Sequence, residues 1–242
     1  MILIRNLVKK IANKPFLKQV SLNVDTGELA AIIGPSGSGK TLLLECITLN
    51  TPWHRGTYQF QGKVISPNTF TSRQKLKKQA AYLKDTLGLL PQKTGLQNVK
   101  QGVKEAFPFW KRLLGTNQET HMEAMDLMEK LGLLDLAHKP VMQLSGGEKQ
   151  RVAIAKAIAK GAKVIVADEP VSGLDPIRAN EVVRDFKEMT RKSGVTLICT
   201  LHRLELAEKY ADRIIGMNDG TVVVEAKGRP LEDDERERIY QT

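Results

Sequence analysis

The sequence predicts an α/β fold, one core domain on a largely parallel sheet interrupted by a helical insertion. Three observations predict it. The apolar run Leu29-Ala-Ala-Ile-Ile33 feeds directly into a glycine-rich turn and a helix-forming stretch. Val164-Ile-Val-Ala167 is apolar without alternation, as expected of a parallel strand covered on both faces, and an acidic pair closes it. Strand patterns gather at the two ends of the chain, whereas helical patterns dominate 94–160.

In chain order, strands are expected over 1–7, 19–24, 29–33 and 56–60, near 80–83, and over 163–167, 195–199, 213–218 and 221–224. Asn218, Asp219 and Gly220 between the last two are hairpin-turn residues. Thr116 to Glu119 has capping-box spacing, and Met122, Met125, Met128 and Leu131 follow as one apolar stripe. Asp175-Pro176 supplies a cap and a preset first residue for a helix ending near Ser193-Gly194.

With 242 residues the chain suits a single domain able to bury a sizeable core. Its two cysteines, Cys46 and Cys199, sit in apolar surroundings and read as reduced core thiols. The N-terminal stretch has no signal-peptide pattern, and no apolar run is long enough to span a bilayer, so a soluble, untargeted chain is expected. The net charge of +10 fits nucleic acid, an anionic membrane or an anionic ligand equally well. Arg73, Lys75, Lys77 and Lys78 cluster as a solvated helix face would.

Gly34, Pro35, Ser36, Gly37, Ser38, Gly39, Lys40 and Thr41 match the phosphate-binding P-loop in its strand-before, helix-after setting. The glycines let backbone N–H groups point at phosphate oxygens, Lys40 reaches the β- and γ-phosphates, and the Thr41 hydroxyl suits Mg²⁺. Asp168 and Glu169 end a buried parallel strand, at the sheet edge where ligands bind in open α/β folds. There Asp168 would hold Mg²⁺ through its coordinated water, and Glu169 would act as general base on the attacking water. These residues point to a nucleoside triphosphatase core.

A second cradle lies about a hundred residues on, in Leu144-Ser-Gly-Gly-Glu148. Ser145 and the N–H groups of Gly146 and Gly147, at the start of a helix running from Glu148, suit a γ-phosphate. Both cradles cannot easily close on one nucleotide within one chain. A head-to-tail dimer, each chain's second cradle covering its partner's first, satisfies both.

GPSGSGKT, LSGGEKQR, VIVADEP, SGLD at 172–175 and His202, in this order and spacing, resemble the nucleotide-binding subunit of an ABC transporter over nearly the whole chain. The resemblance implies a P-loop NTPase with a RecA-like core, an antiparallel β subdomain and an inserted helical subdomain carrying the signature motif. It places the core at 1–85 and 161–242, with the helical subdomain at 86–160, all within one domain over 1–242. It implies ATP and Mg²⁺ as cofactors, Asp175 in a loop communicating across the dimer, and His202 as the switch at the γ-phosphate. The implied partners are a second ATP-binding subunit, most simply an identical one, and transmembrane permease subunits on whose cytoplasmic side the protein would sit. An extracytoplasmic substrate-binding protein would be an indirect partner, and no nucleic acid is expected. FPFWKRLLG at 107–115, TLH at 200–202, YADRII at 210–215 and ERIY at 237–240 are similar to ATP-binding subunits of phosphonate importers, which implies phosphonate, phosphite or a related phosphorus oxyanion as cargo.

Two positions depart from the family pattern. The residue that contacts Mg²⁺ as glutamine in the family falls on Asp85 by counting back from LQNV, with Gln79 and Gln92 as alternative registers. The aromatic that stacks on adenine falls on Ile11, with Phe16 as a substitute from the same loop. An exporter or lipid-extraction ATPase would carry the same core motifs. A soluble nucleotide-switched protein acting on DNA or the ribosome usually has a coiled-coil insertion or a second cassette, and this sequence has neither.

Overall fold

Every residue of Leu29–Ile33 and of Val164–Ala167 is buried, the behaviour of strands covered on both faces. The computed structural model, which describes residues 1–84, 88–107 and 117–240, places both inside a six-stranded sheet. With β3 (Leu29–Ile33), β6 (Ala80–Leu83), β7 (Val164–Ala167), β8 (Thr196–Thr200), β9 (Arg213–Asn218) and β10 (Thr221–Lys227), its order is β10-β9-β3-β8-β7-β6. Neighbours pair in parallel except β9 and β10, which form an antiparallel hairpin turning at Asp219 and Gly220 as the sequence predicts.

The second sheet is antiparallel throughout, with order β2-β1-β4-β5 from β1 (Ile2–Ile11), β2 (Lys14–Val24), β4 (Arg55–Phe60) and β5 (Lys63–Ile65). β1 and β2 run beyond their expected bounds because Ala12 and Asn13, at φ 46° and 65°, make a tight turn that pairs Ile11 with Lys14.

The helices are α1 (Lys40–Ile47), α2 (Phe70–Gln79), α3 (Gly95–Ala106), α4 (Asn117–Leu131), α5 (Gly146–Ala159), α6 (Pro176–Ser193), α7 (Leu204–Tyr210) and α8 (Asp233–Tyr240). Asp175 caps α6 and Gly194 ends it at φ 72°, as predicted. The box expected at Thr116 lies outside the described residues. Capping boxes do form at Thr94 with Gln97 on α3 and at Ser145 with Glu148 on α5. The apolar stripe on α4 is incomplete, since Met128 and Leu131 are buried but Met122 is 58% exposed.

Alternation along β3 divides the core in two. Ala30 and Ile32 face α1 and the antiparallel sheet, joining Leu43, Ile47, Ile4 and Tyr58. Leu29, Ala31 and Ile33 face the other way, into a core with Phe186 of α6 that continues through Val152 of α5 to Val99 of α3 and Met128 of α4. The helical segment therefore shares its apolar interior with one face of the main sheet. Cys46 and Cys199 are buried free thiols whose pKa burial pushes up to about 12, as inert core residues.

Candidate functional site

Three parallel strands deliver the site at their C-terminal ends. β3 leads into the P-loop, β7 into Asp168 and Glu169, and β8 into Thr200 and His202. Gly34 must be glycine, because a Cβ there would stand 2.1 Å from the Met217 carbonyl oxygen. Lys40 starts α1 with its ammonium donating to the carbonyls of Gly34 (2.9 Å) and Pro35 (2.8 Å). Burial pulls the Lys40 ammonium below its usual pKa, and the charges of Glu169 and Asp168 oppose that shift.

A hollow of about 390 Å³ opens over this loop. Ser36, Gly37, Gly39, Lys40, Thr41, Leu42 and Glu45 form its floor, Phe16 stands at one side, and Glu169 and His202 at another. Gly34 and Ser38 are buried behind it, and Ser38 Oγ has no hydrogen-bond partner. The Lys40 ammonium and the positive-φ Gly37 and Gly39 in the floor of the hollow suit an anionic phosphate chain. Ile11 does not line the hollow, because the turn at Ala12 and Asn13 leaves it at the tip of the β1–β2 hairpin, 47% exposed. Phe16 is the aromatic that reaches the site.

Glu169 occupies the left-handed region at φ 47°, an uncommon conformation for a residue with a side chain. The Thr200 hydroxyl holds it there by accepting from its N–H at 2.6 Å. Across the mouth of the hollow, Glu169 Oε1 lies 2.9 Å from His202 Nε2. Asp168 does not line this hollow. It lines an adjoining one with Lys84, Gly146, Gln150 and Glu169, so Glu169 borders both. Asp85 lies outside the described residues.

The second cradle is an exposed helix start. Ser145 caps α5, its Oγ accepting from Glu148 N–H (3.3 Å) while its own N–H donates to Glu148 Oε2 (2.8 Å). That backbone hydrogen bond holds the Glu148 carboxyl below its usual pKa. Gly146 and Gly147 follow as the first helical residues, whose N–H groups have no acceptor within the helix. Ser145, Gly146, Gly147 and Glu148 border a hollow shared with Leu174 and Arg178 beside the α6 start. Asp175 itself is exposed, its Oδ1 accepting from the N–H groups of Ile177 and Arg178 and its Oδ2 lying 3.4 Å from Arg178 Nε. None of Ser145, Gly146, Gly147 and Glu148 lines the hollow over the P-loop, although Gly146 lines the adjoining one with Asp168 and Glu169.

Sequence reasoning missed Thr200, Tyr82, Gln150 and Gly220. Tyr82 and Thr200 hydrogen-bond the Asp168 carboxylate. Gln150 of α5 donates to the Pro170 carbonyl, next to Glu169. Gly220 bridges two parts of the site, its N–H donating to Ser38 O (3.1 Å) and its carbonyl accepting from Lys18 N–H (2.8 Å). Gly220 carried a sequence signal as a turn residue, and Thr200 and Gln150 stand inside the stretches TLH and LSGGEKQR without having been given these contacts. The contacts themselves depend on which elements become neighbours.

The family model described as ABC transporter matches residues 17–172. The phosphonates import ATP-binding protein PhnC of Mycoplasma mycoides subsp. mycoides is 36% identical, with 99% of this chain and 99% of that protein aligned. The hypophosphite import ATP-binding protein HtxD of Stutzerimonas stutzeri is 33% identical over 98% of this chain and 70% of its own length. Among solved structures, the dimeric post-hydrolysis state of the ATP-binding cassette MJ0796 bound to ADP and Pi superimposes with a TM-score of 0.73 at 28% identity, covering 96% of this chain and all of that one. The cbiO1 cassette from Clostridium perfringens reaches a TM-score of 0.83 at 26% identity, covering 94% of this chain and 88% of that one. With a P-loop, an acid pair at a strand end and a capped Ser-Gly-Gly helix start held in one fold, this chain belongs to the ABC transporter family, as one of its ATPase cassettes.

Proposed function

We propose that this ATPase is the energy-coupling subunit of an importer for phosphonate, phosphite or a related phosphorus oxyanion. The cargo reading rests on the names of the relatives, phosphonate and hypophosphite import proteins aligned along nearly the whole chain. The catalytic reading rests on one observation, the Glu169–His202 contact across the mouth of the P-loop hollow.

In this reading the triphosphate lies along Gly34 to Thr41, with backbone N–H groups and Lys40 as its donors and Phe16 against the base. Thr41 and Asp168 offer the hard oxygen ligands that Mg²⁺ takes beside phosphates and water, and the bound ion would neutralise charge on the β- and γ-phosphates. Glu169 accepts the proton of the attacking water, and His202 orients the Glu169 carboxylate and approaches the γ-phosphate. Ser145, Gly146 and Gly147 of a second copy would cover the γ-phosphate, with the dipole of α5 behind them. Asp175, at the adjoining start of α6, would sense that copy.

The described residues contain no helix long and apolar enough to cross a membrane. Attachment to the cytoplasmic face would therefore be through permease subunits, with the substrate-binding protein engaged outside. A lysine-lined groove of about 640 Å³ between β6, α3 and α5, with Lys77, Lys78, Lys156 and Lys160 on its walls, is a surface such a permease could use. We assign 1–85 and 161–242 to the core and 86–160 to the helical arm.

The test is Glu169→Gln in the chain co-expressed with its permease. General-base loss should cut kcat by roughly 10²–10⁴-fold while ATP binding persists and dimers accumulate on size exclusion. Reconstituted vesicles should take up labelled methylphosphonate only with ATP and unmodified Glu169. Wild-type hydrolysis by Glu169→Gln would refute the base assignment, and outward movement of the label would refute import.

A further inference from the structure

The carboxylate of Asp168 is gripped from two sides by residues that do not line the nucleotide hollow. Tyr82 Oη donates to Oδ2 at 3.1 Å and Thr200 Oγ donates to Oδ1 at 2.9 Å. Thr200 Oγ also accepts from the Glu169 N–H at 2.6 Å, so one hydroxyl touches both members of the acidic pair.

Strand register explains the grip. Val166 lies level with Tyr82 and Ala167 with Cys199, which puts Asp168 level with Thr200 and two residues beyond Tyr82. Side chains repeat every two residues along a strand, so all three project from the same face. The gap along the strand between Tyr82 and Asp168 is about 6.6 Å at the usual rise, a span that a phenol side chain covers and a shorter hydroxyl does not. Tyr82 packs against the core that holds Val166 and Ile198, on the face occupied by α1. Its ring is thereby anchored while its hydroxyl reaches the strand end.

A carboxylate that accepts one hydrogen bond on each oxygen has a fixed plane, and a further lone pair on each oxygen stays available to a hydrated cation. Outer residues of this kind orient metal ligands, and their loss typically weakens metal affinity or activity by about 10–100-fold. We propose that Tyr82 and Thr200 are positioning residues, a clamp that fixes the Asp168 carboxylate for a divalent cation bound with nucleoside triphosphate and, through Thr200, sets Glu169 beside it. The proposal rests on the reading of Asp168 as the residue serving the metal. Neither Tyr82 nor Thr200 touches nucleotide in it, so both act on the cation and leave metal-free nucleotide binding alone.

The full chain is titrated with Mn²⁺ in the presence of a non-hydrolysable ATP analogue, following the free-ion EPR signal. Tyr82→Phe and Thr200→Val should each weaken Mn²⁺ binding by about tenfold or more, while Thr200→Ser, which keeps the hydroxyl, should restore it. Affinity for the analogue in EDTA should match the wild type in all three. Asp168→Asn is run alongside to separate the two layers of the argument. If Asp168→Asn weakens Mn²⁺ binding and Tyr82→Phe does not, the Tyr82 half of the clamp is wrong and the metal reading stands. If Asp168→Asn leaves it unchanged, both fall. Should Tyr82→Phe lower the melting temperature, the Thr200 pair still decides, because equal Mn²⁺ constants for Val and Ser overturn the clamp.

Discussion

Gly220→Ala should loosen the nucleotide site from a position that touches no nucleotide. Gly220 sits at φ 74°, and a Cβ there would stand 2.0 Å from the Phe16 carbonyl oxygen and 3.5 Å from Leu17 Cα. Holding alanine in the left-handed region costs about 1–2 kcal/mol. The overlap forces the two backbones apart by more than a hydrogen bond tolerates. The Lys18–Gly220 bond (2.8 Å) should then be lost, at about 1 kcal/mol, and the Gly220–Ser38 bond (3.1 Å) weakened. Together these give about 2–4 kcal/mol, and at about 2–4 °C per kcal/mol for a chain of this size the melting temperature should fall by roughly 4–16 °C. The same shift moves Phe16 and Ser38, so ATP affinity should fall with it. Gly228→Ala is the control, since Gly228 has φ 64° but nothing within 4 Å of an added Cβ. It carries the conformational cost without the collision. Thermal melts and ATP titrations of both variants isolate the difference. A Gly220→Ala protein matching Gly228→Ala in both would refute the reasoning that this turn braces the site.

Phe16→Ala should raise the dissociation constant for ATP by about 3–10-fold, the worth of one aromatic stacking contact, and Ile11→Ala should not change it; the reverse pattern in a nucleotide titration would return the base contact to Ile11. Ser145→Ala should cost about 1 kcal/mol of stability through loss of the α5 cap, whereas Ser145→Arg should block ATP-dependent dimerisation on size exclusion; dimers of normal yield would remove Ser145 from the interface. Arg213, 5% exposed, hydrogen-bonds Glu28, Asp25 and Glu225. Arg213→Ala should cost about 3–5 kcal/mol by leaving Glu28 buried and underpaired. Burial raises the Glu28 pKa, but the hydrogen bond from Arg213, with those from the Asp25 backbone and Lys227, holds it below its ordinary 4.5 overall. Its folded pKa is thus depressed, so it contributes stability that is complete above that ordinary value and lost as pH falls through the folded one. Urea unfolding across this range should show a smaller acid loss in Arg213→Ala than in the wild type, and equal losses would remove Glu28 as the source.

What the sequence shows of this site is what chemistry demands of consecutive residues. A phosphate cradle needs its glycines, lysine and threonine in one stretch, and the acid pair must follow its strand at once, so both were legible. The aromatic at the hollow was legible only as the second choice, Phe16, because counting back from the P-loop lands on Ile11 and ignores the turn at Ala12 and Asn13. That turn folds Ile11 back against Lys14 and leaves Phe16 to be set by Gly220, some two hundred residues later in the chain. The contacts of Tyr82 and Thr200 with Asp168 were invisible, since they depend on β6, β7 and β8 lying side by side in one register. The α3 cap, by contrast, was written in Thr94-Gly-Leu-Gln97 as plainly as any capping box. β5 follows a turn at Gln61 and Gly62, both at positive φ, whose three-residue strand is too short for alternation to register.

These tertiary contacts also decide how the two cradles can influence one another. Glu169 is flanked by two residues tied to different parts of the molecule, Asp168 to β6 through Tyr82 and Pro170 to α5 through Gln150. α5 carries Ser145 at its exposed start and is tied to α6 by the Arg151–Asp185 ion pair (3.4 Å). β6 is the outer strand of its sheet and walls the lysine-lined groove. The helix that starts at Ser145 is thus one hydrogen bond from the backbone next to Glu169, and the wall of the groove is one hydrogen bond from Asp168. Hydrogen bonds weaken steeply when stretched or bent, so breaking either one would alter the surroundings of the acidic pair. Gln150→Ala should therefore lower the Hill coefficient for ATP hydrolysis while leaving the affinity of a single chain for ATP intact. An unchanged Hill coefficient would mean that the second cradle acts on its partner's nucleotide without reporting to its own base.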